Sequence, residues 1–180
     1  MKSAPPILLT LLFSFLSFIS SGVAQEKEKL ILNIRREYQI INSDKNLKSV
    51  VLNNEDFLEQ MPDGGGKLTG LYQQSQLKKI ICWIGLSHGT QVKEYYFKGH
   101  QLIFVYVAFN TFPYDEKQQK LIYAAKERTF EGRYYFDAGK LIDQVTKGSN
   151  HSDDVADLAK TLTTEAVKYK TLLAGGAPTS

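Results

Sequence analysis

The run Gly64-Gly65-Gly66-Lys67-Leu68-Thr69-Gly70 carries the glycines and the lysine of a phosphate-cradling loop. Such a loop needs Ser or Thr after the lysine and sits between a strand and a helix N-terminus, whose amides face the phosphate. Leu68 stands at the hydroxyl position, no strand precedes the run, and a strand follows it, so the phosphate reading fails. Gly85-Leu86-Ser87-His88-Gly89 has the Gly-x-Ser-x-Gly form that exposes a nucleophilic serine in α/β-hydrolases. It falls between two strand-like runs, where it reads as a hairpin turn without the helix that helps form an oxyanion hole. His88 and His100 bracket one predicted strand, and at about 3.3 Å per residue they stand on the order of 30 Å apart, too far to share a metal. His151 and Asp154, at the start of a predicted helix, form a weak metal pair, for which a solvated helix cap is the simpler account. Cys82, the only cysteine, lies in Ile80-Ile81-Cys82-Trp83-Ile84 and reads as a small buried thiol that cannot form an intrachain disulfide. These residues assign no catalytic group, no metal ligand and no cofactor.

The elements that must carry any site are announced by a repeated phrase. Leu71-Tyr72-Gln73-Gln74-Ser75-Gln76-Leu77, Tyr96-Phe97-Lys98-Gly99-His100-Gln101-Leu102 and Tyr135-Phe136-Asp137-Ala138-Gly139-Lys140-Leu141 share an apolar pair, a turn, then Gln or Lys followed by Leu. Each predicts a β-hairpin, and the irregular spacing predicts a meander rather than a solenoid. Strands are expected near 67–73, 76–86, 91–98, 101–109, 126–136 and 140–146. Leu102 to Phe109 is apolar at every position, as in a strand covered on both faces. The strand at 91–98 alternates instead, with Tyr95 and Phe97 on one side and Glu94, Tyr96 and Lys98 on a wetter one. Plain alternation also puts Tyr96, Ile103, Val105 and Val107 on one face and Phe97, Leu102, Phe104 and Tyr106 on the other. Segment 113–125 fits loop, short helix or strand equally.

Helices are expected at both ends. Leu30, Ile34, Tyr38 and Ile41 form an apolar stripe over Glu28–Ile41, for which a strand from Leu30 is the competing reading. A short helix fits Glu55–Met61. Near the C-terminus, Ser152 caps a helix with Asp153 and Asp154 in its first turn. Its stripe is Val155, Leu158, Leu162, Ala166, Tyr169 and Leu173, and Gly175-Gly176 ends it. The expected fold class is α+β: an antiparallel β-meander of about five to six strands with an N-terminal and a C-terminal helix.

Residues 3–25 carry no charge, the stretch Ile7–Ile19 is nearly all apolar, Lys2 precedes it and Gly22-Val23-Ala24 follows. That is the form of an export signal, with cleavage expected after Ala24 and a periplasmic or extracellular address; an uncleaved anchor is the rival. The organisation read from this is 1–24 signal peptide, 25–174 one α+β domain and 175–180 a flexible tail. Removing 1–24 leaves 21 basic against 19 acidic side chains, so charge proposes no partner, and the scattered basic residues argue against nucleic acid.

The phrases at 35–43, 64–72, 94–97, 102–106 and 133–142 together resemble small exported proteins of Bacteroidetes-type bacteria. Their hairpin wording is also faintly similar to membrane-occupation-and-recognition repeats, without the regular glycines of those repeats. The resemblance implies location and fold and carries no active site. Two functional classes follow. The first is a non-enzymatic binding domain that meets an envelope protein, or a second copy of itself, through the sheet, and touches the membrane only during export. Its candidate surface is Tyr96, Tyr135, Ile103 and Val105, rimmed by Glu94 and Arg133; it is exposed if both helices pack on the opposite face. The second is an envelope hydrolase or small-molecule binder with a pocket between sheet and helices holding Glu94, Glu131 or Arg133. A convergent charged cluster in a concavity favours the second, and a smooth sheet the first.

Overall fold

The repeated phrases fold as hairpins of one construction. A computed structural model describes residues 7–148 and 155–178, with side chains for 24–148 and 158–178. Helix α1 (Ile7–Ser43) leads into strand β1 (Lys48–Asn53) and a single helical turn, α2 (Asn54–Phe57). Strands β2 (Gly66–Gln73), β3 (Gln76–Leu86), β4 (Gly89–Lys98) and β5 (Gln101–Thr111) follow by tight turns. A small hairpin, β6 (Tyr114–Asp115) and β7 (Lys120–Leu121), precedes β8 (Glu127–Asp137), β9 (Lys140–Gly148) and helix α3 (Val155–Ala174). The main sheet has seven strands in the order β1-β2-β3-β4-β5-β8-β9, all antiparallel, and β6-β7 stand apart as a sheet of two. The class is α+β, as the sequence predicts. The sheet is wider than predicted by the edge strand β1, and the segment left open at 113–125 is the excursion that carries β6 and β7.

In the three repeats the two-residue turn starts with a left-handed residue, Gln74 (φ 54°), Gly99 (φ 58°) or Ala138 (φ 47°), matching the right-handed twist of the strands. After two paired residues beyond the turn, the outgoing strand carries an extra residue. Tyr72 pairs with Leu77 but Leu71 with Lys79; Phe97 pairs with Leu102 but Tyr96 with Phe104; Phe136 pairs with Leu141 but Tyr135 with Asp143. Lys78, Ile103 and Ile142 are therefore bulges, and a bulge resets which face the rest of the strand presents. This corrects the face assignment from plain alternation. Ile103 and Phe104 join Tyr96 on one face, whereas Val105 and Val107 lie with Tyr95 and Phe97 on the other.

The helices take opposite faces. On one, α3 buries Leu162, Ala166, Tyr169 and Leu173 against Leu68, Ile80, Tyr95, Val105 and Tyr134, each large apolar group contributing about 1.5–3 kcal/mol. The predicted α3 stripe holds from Leu158 onward; Ser152 and the His151–Asp154 pair lie outside the described residues. Ala177 packs against the same cluster and Gly176 lies against Val50, so the chain just after α3 follows the sheet. On the other face, α1 lays Ile31, Ile34, Tyr38 and Ile41 on Tyr96, Ile103, Phe104 and Tyr135. The rings of Tyr38, Tyr96, Phe104 and Tyr135 contact one another, with centroids 4.9 to 5.6 Å apart. Strand β5 is thus covered on both faces, as its unbroken apolar run predicts.

The proposed aromatic surface is overturned by this arrangement. Tyr96 is 0 % and Tyr135 3 % exposed, Ile103 is buried beneath α1, and Val105 is buried beneath α3. The cause is that α1 and α3 do not share a side. Among residues with described side chains, no helix is long and apolar enough to cross a membrane.

Candidate functional site

Register builds the site. On the α1 side, Tyr96, Phe104 and Tyr135 form one row across β4, β5 and β8; Glu94, Tyr106 and Arg133 form the next; Val92, Ala108 and Glu131 the one after. A bulge at Thr129 brings Arg128 opposite Asn110 on the following row. Helix α1 covers the first row and stands over the second, contributing Ile34, Arg35, Tyr38 and Gln39 as a wall. Between wall and sheet lies a cleft of about 530 Å³, within the range of small-molecule sites.

Its charges are organised in layers. Glu94 is held at 3.0 Å by the buried Lys79 ammonium and accepts a 2.5 Å hydrogen bond from the Tyr96 hydroxyl. Lys79 also donates to Asn42 at 3.0 Å and lies 4.8 Å from the Tyr96 ring centroid, so its buried charge is fully engaged. Burial, then the neighbouring Glu94 carboxylate, pushes the Tyr96 hydroxyl far above its ordinary pKa, which keeps it a donor at all physiological pH. Glu131 pairs with Arg133 and lies 3.7 Å from Arg128. Arg128 donates to Tyr106 at 2.8 Å and to Asn110 at 3.3 Å. Arg35, on α1, donates to the Tyr135 hydroxyl at 3.4 Å and stacks over its ring; it pairs with no carboxylate among the described residues.

Of the candidate binding residues, Glu94, Arg133 and Tyr135 line this cleft, as does Glu131; Tyr96 supports its floor, Ile103 lies in the core beside it, and Val105 is on the far face. Arg35, Arg128 and Tyr106 belong to the cleft and were not among the candidates. Tyr106 was within reach, since it sits two positions beyond Phe104 on one strand. Arg35 follows Ile34 and precedes Tyr38 by three positions, so the helical period alone puts it beside the buried stripe.

The other sequence candidates resolve as structure. Gly85–Gly89 is the turn between β3 and β4, where Leu86 pairs with Gly89. Gly66 opens β2, so no helix follows the glycine run. His88 packs against Phe109 and His100 sits in the β4–β5 turn, at opposite ends of β4. Cys82 is buried under α3 and donates to the Tyr169 hydroxyl at 3.7 Å. Burial pushes its thiol up to about 11, so almost no thiolate exists at neutral pH and a nucleophilic role is without support.

Compared with family models, curated proteins and solved structures, the chain matches none.

Proposed function

We propose that the protein is an exported small-molecule binder, the second of the two classes, whose ligand is a small organic anion with an apolar body, held between α1 and the sheet. The observation that carries this is the charge inventory of the cleft. Each lining carboxylate already has a cation, Glu94 through Lys79 and Glu131 through Arg133, whereas Arg35 pairs with no carboxylate among the described residues. A guanidinium beside the Tyr135 hydroxyl, in a cleft that Tyr106 also lines, suits carboxylate or phosphate oxygens, and the rings of Phe104 and Tyr135 suit an apolar body.

Calorimetric titration with benzoate and phenyl phosphate tests the reading. At least one is expected to bind, and Arg35→Ala is expected to weaken it by about 10–100-fold, the worth of a charge-assisted hydrogen bond. Thermal stability should be unchanged, because Arg35 is exposed and its one described hydrogen bond is long. Equal affinity in the variant, or no heat with either probe, overturns the proposal.

Export is part of the same reading, supported by the uncharged run at 3–25 and the small residues before Gln25. Helix α1 is continuous through this point, yet its described contacts with the sheet begin at Lys27, which pairs with Asp143 at 2.9 Å. Cleavage after Ala24 leaves the cleft wall complete. Intact-mass analysis of the chain from its native envelope is expected to give a start at Gln25; a membrane-bound chain that retains Met1 refutes export by cleavage.

A further inference from the structure

The α1-side face carries a second concavity, of about 440 Å³, at the end of the sheet where β3 turns into β4. No described residue of α1 lines it. Its floor is bare backbone: the Gly64 amide donates to the Gly85 carbonyl at 3.0 Å and the Gly85 amide to the Gly65 carbonyl at 2.8 Å. A Cβ at Gly85 would stand 2.7 Å from the Gly64 oxygen, so this close approach requires glycine. Its walls are aromatic. Trp83 of β3 is half-buried, and Phe112 and Tyr123 meet with ring centroids 5.1 Å apart at 64°. Tyr123 is 66 % exposed, a large ring held in water by an edge contact instead of being folded into a core. Asp63, Ser87 and Lys126 supply exposed polar groups around these rings.

We propose that this concavity binds a neutral carbohydrate. The partly positive C–H face of a sugar ring complements the negative face of an aromatic ring, and its hydroxyls both donate and accept. Trp83 and Tyr123 offer the first kind of surface, and the Asp63 carboxylate, the Ser87 hydroxyl and the Lys126 ammonium the second. One carboxylate against one ammonium leaves this site without net charge, unlike the arginine-rich cleft under α1, so an anion is served better there. A purely apolar ligand would desolvate the polar rim without replacing its hydrogen bonds. The ring pair Phe112–Tyr123 also fixes the platform in advance, which lowers the ordering cost of binding. This proposal stands independently of the anion site.

Trp83 is the only tryptophan in the chain, so its fluorescence reports on this site alone. Titration of the full chain with maltotriose, cellobiose and N,N′-diacetylchitobiose is expected to give a saturable change with at least one of them. Tyr123→Ala and Asp63→Asn, both at exposed positions, are each expected to weaken that response by about tenfold or more while circular dichroism stays unchanged. A non-saturable response to all three sugars, or an undiminished affinity in Tyr123→Ala, overturns the assignment. So does a saturable response to a proline-rich peptide in place of the sugars.

Discussion

Phe104→Ala is expected to destabilise the protein by about 3–5 kcal/mol, the range for truncating a large aromatic in a packed core. Phe104 is 5 % exposed on the interior strand β5, and Tyr38, Tyr96 and Tyr135 surround its ring. Removing it empties the junction between α1 and the sheet, and Tyr96 is held from collapsing into the space by its hydrogen bonds to Glu94 and Asn42. His100→Ala, in the β4–β5 turn, is the control. Its described hydrogen bond runs from Lys170 to its backbone carbonyl, which alanine keeps, so the loss should stay within about 0.5 kcal/mol. Urea titrations of both variants decide the matter. Similar losses in the two would mean that α1 does not pack on β5 as described.

Glu165→Ala is expected to cost about 2–3 kcal/mol, less than a fully buried pair because water still reaches both partners. Glu165 of α3 accepts from Lys93 at 2.7 and 2.9 Å and from the Tyr95 hydroxyl at 2.5 Å. The side chains of Lys93 and Glu165 are 14 % and 23 % exposed. Truncation leaves an ammonium and a buried phenol without their acceptor. Lys168→Ala on the same helix removes a 2.8 Å pair with the largely exposed Glu59 and should leave stability nearly unchanged. Thermal unfolding compares them. A Glu165 variant as stable as the Lys168 variant would remove the polar anchor assigned to α3.

Local chemistry made the hairpins and α3 legible. Tyr-Phe followed by a glycine turn and Leu specifies a reversal whatever surrounds it, and Leu162, Ala166, Tyr169 and Leu173 keep one helical face through any packing. The bulges were not legible, because Ile103 and Ile142 are apolar and fit either face; only the paired strand reveals the extra residue. Strand β1 escaped for a related reason: as a short edge strand it turns only Val50 and Leu52 toward the core. Glu94 and Arg133 were found as candidates because charge on an alternating strand is visible in sequence. Their meeting with Arg35 was not, since it depends on which face α1 takes, and an apolar stripe says that a helix packs without saying on what. The same ambiguity made Tyr96 and Tyr135 look like surface.

Along the main sheet every neighbour is the next strand in the chain, save for β5 and β8, which the β6–β7 excursion separates. Hairpins of this kind need little loop closure and can assemble as the chain is delivered. The wall of the cleft under α1 is different, for Arg35 and its partner Tyr135 are 100 positions apart. The topology thus makes completion of this cleft a late event in folding, absent from any chain that has not yet supplied β8. Under the export proposed above, α1 would cross the membrane before the sheet that receives it exists, and the cleft would be completed only after delivery.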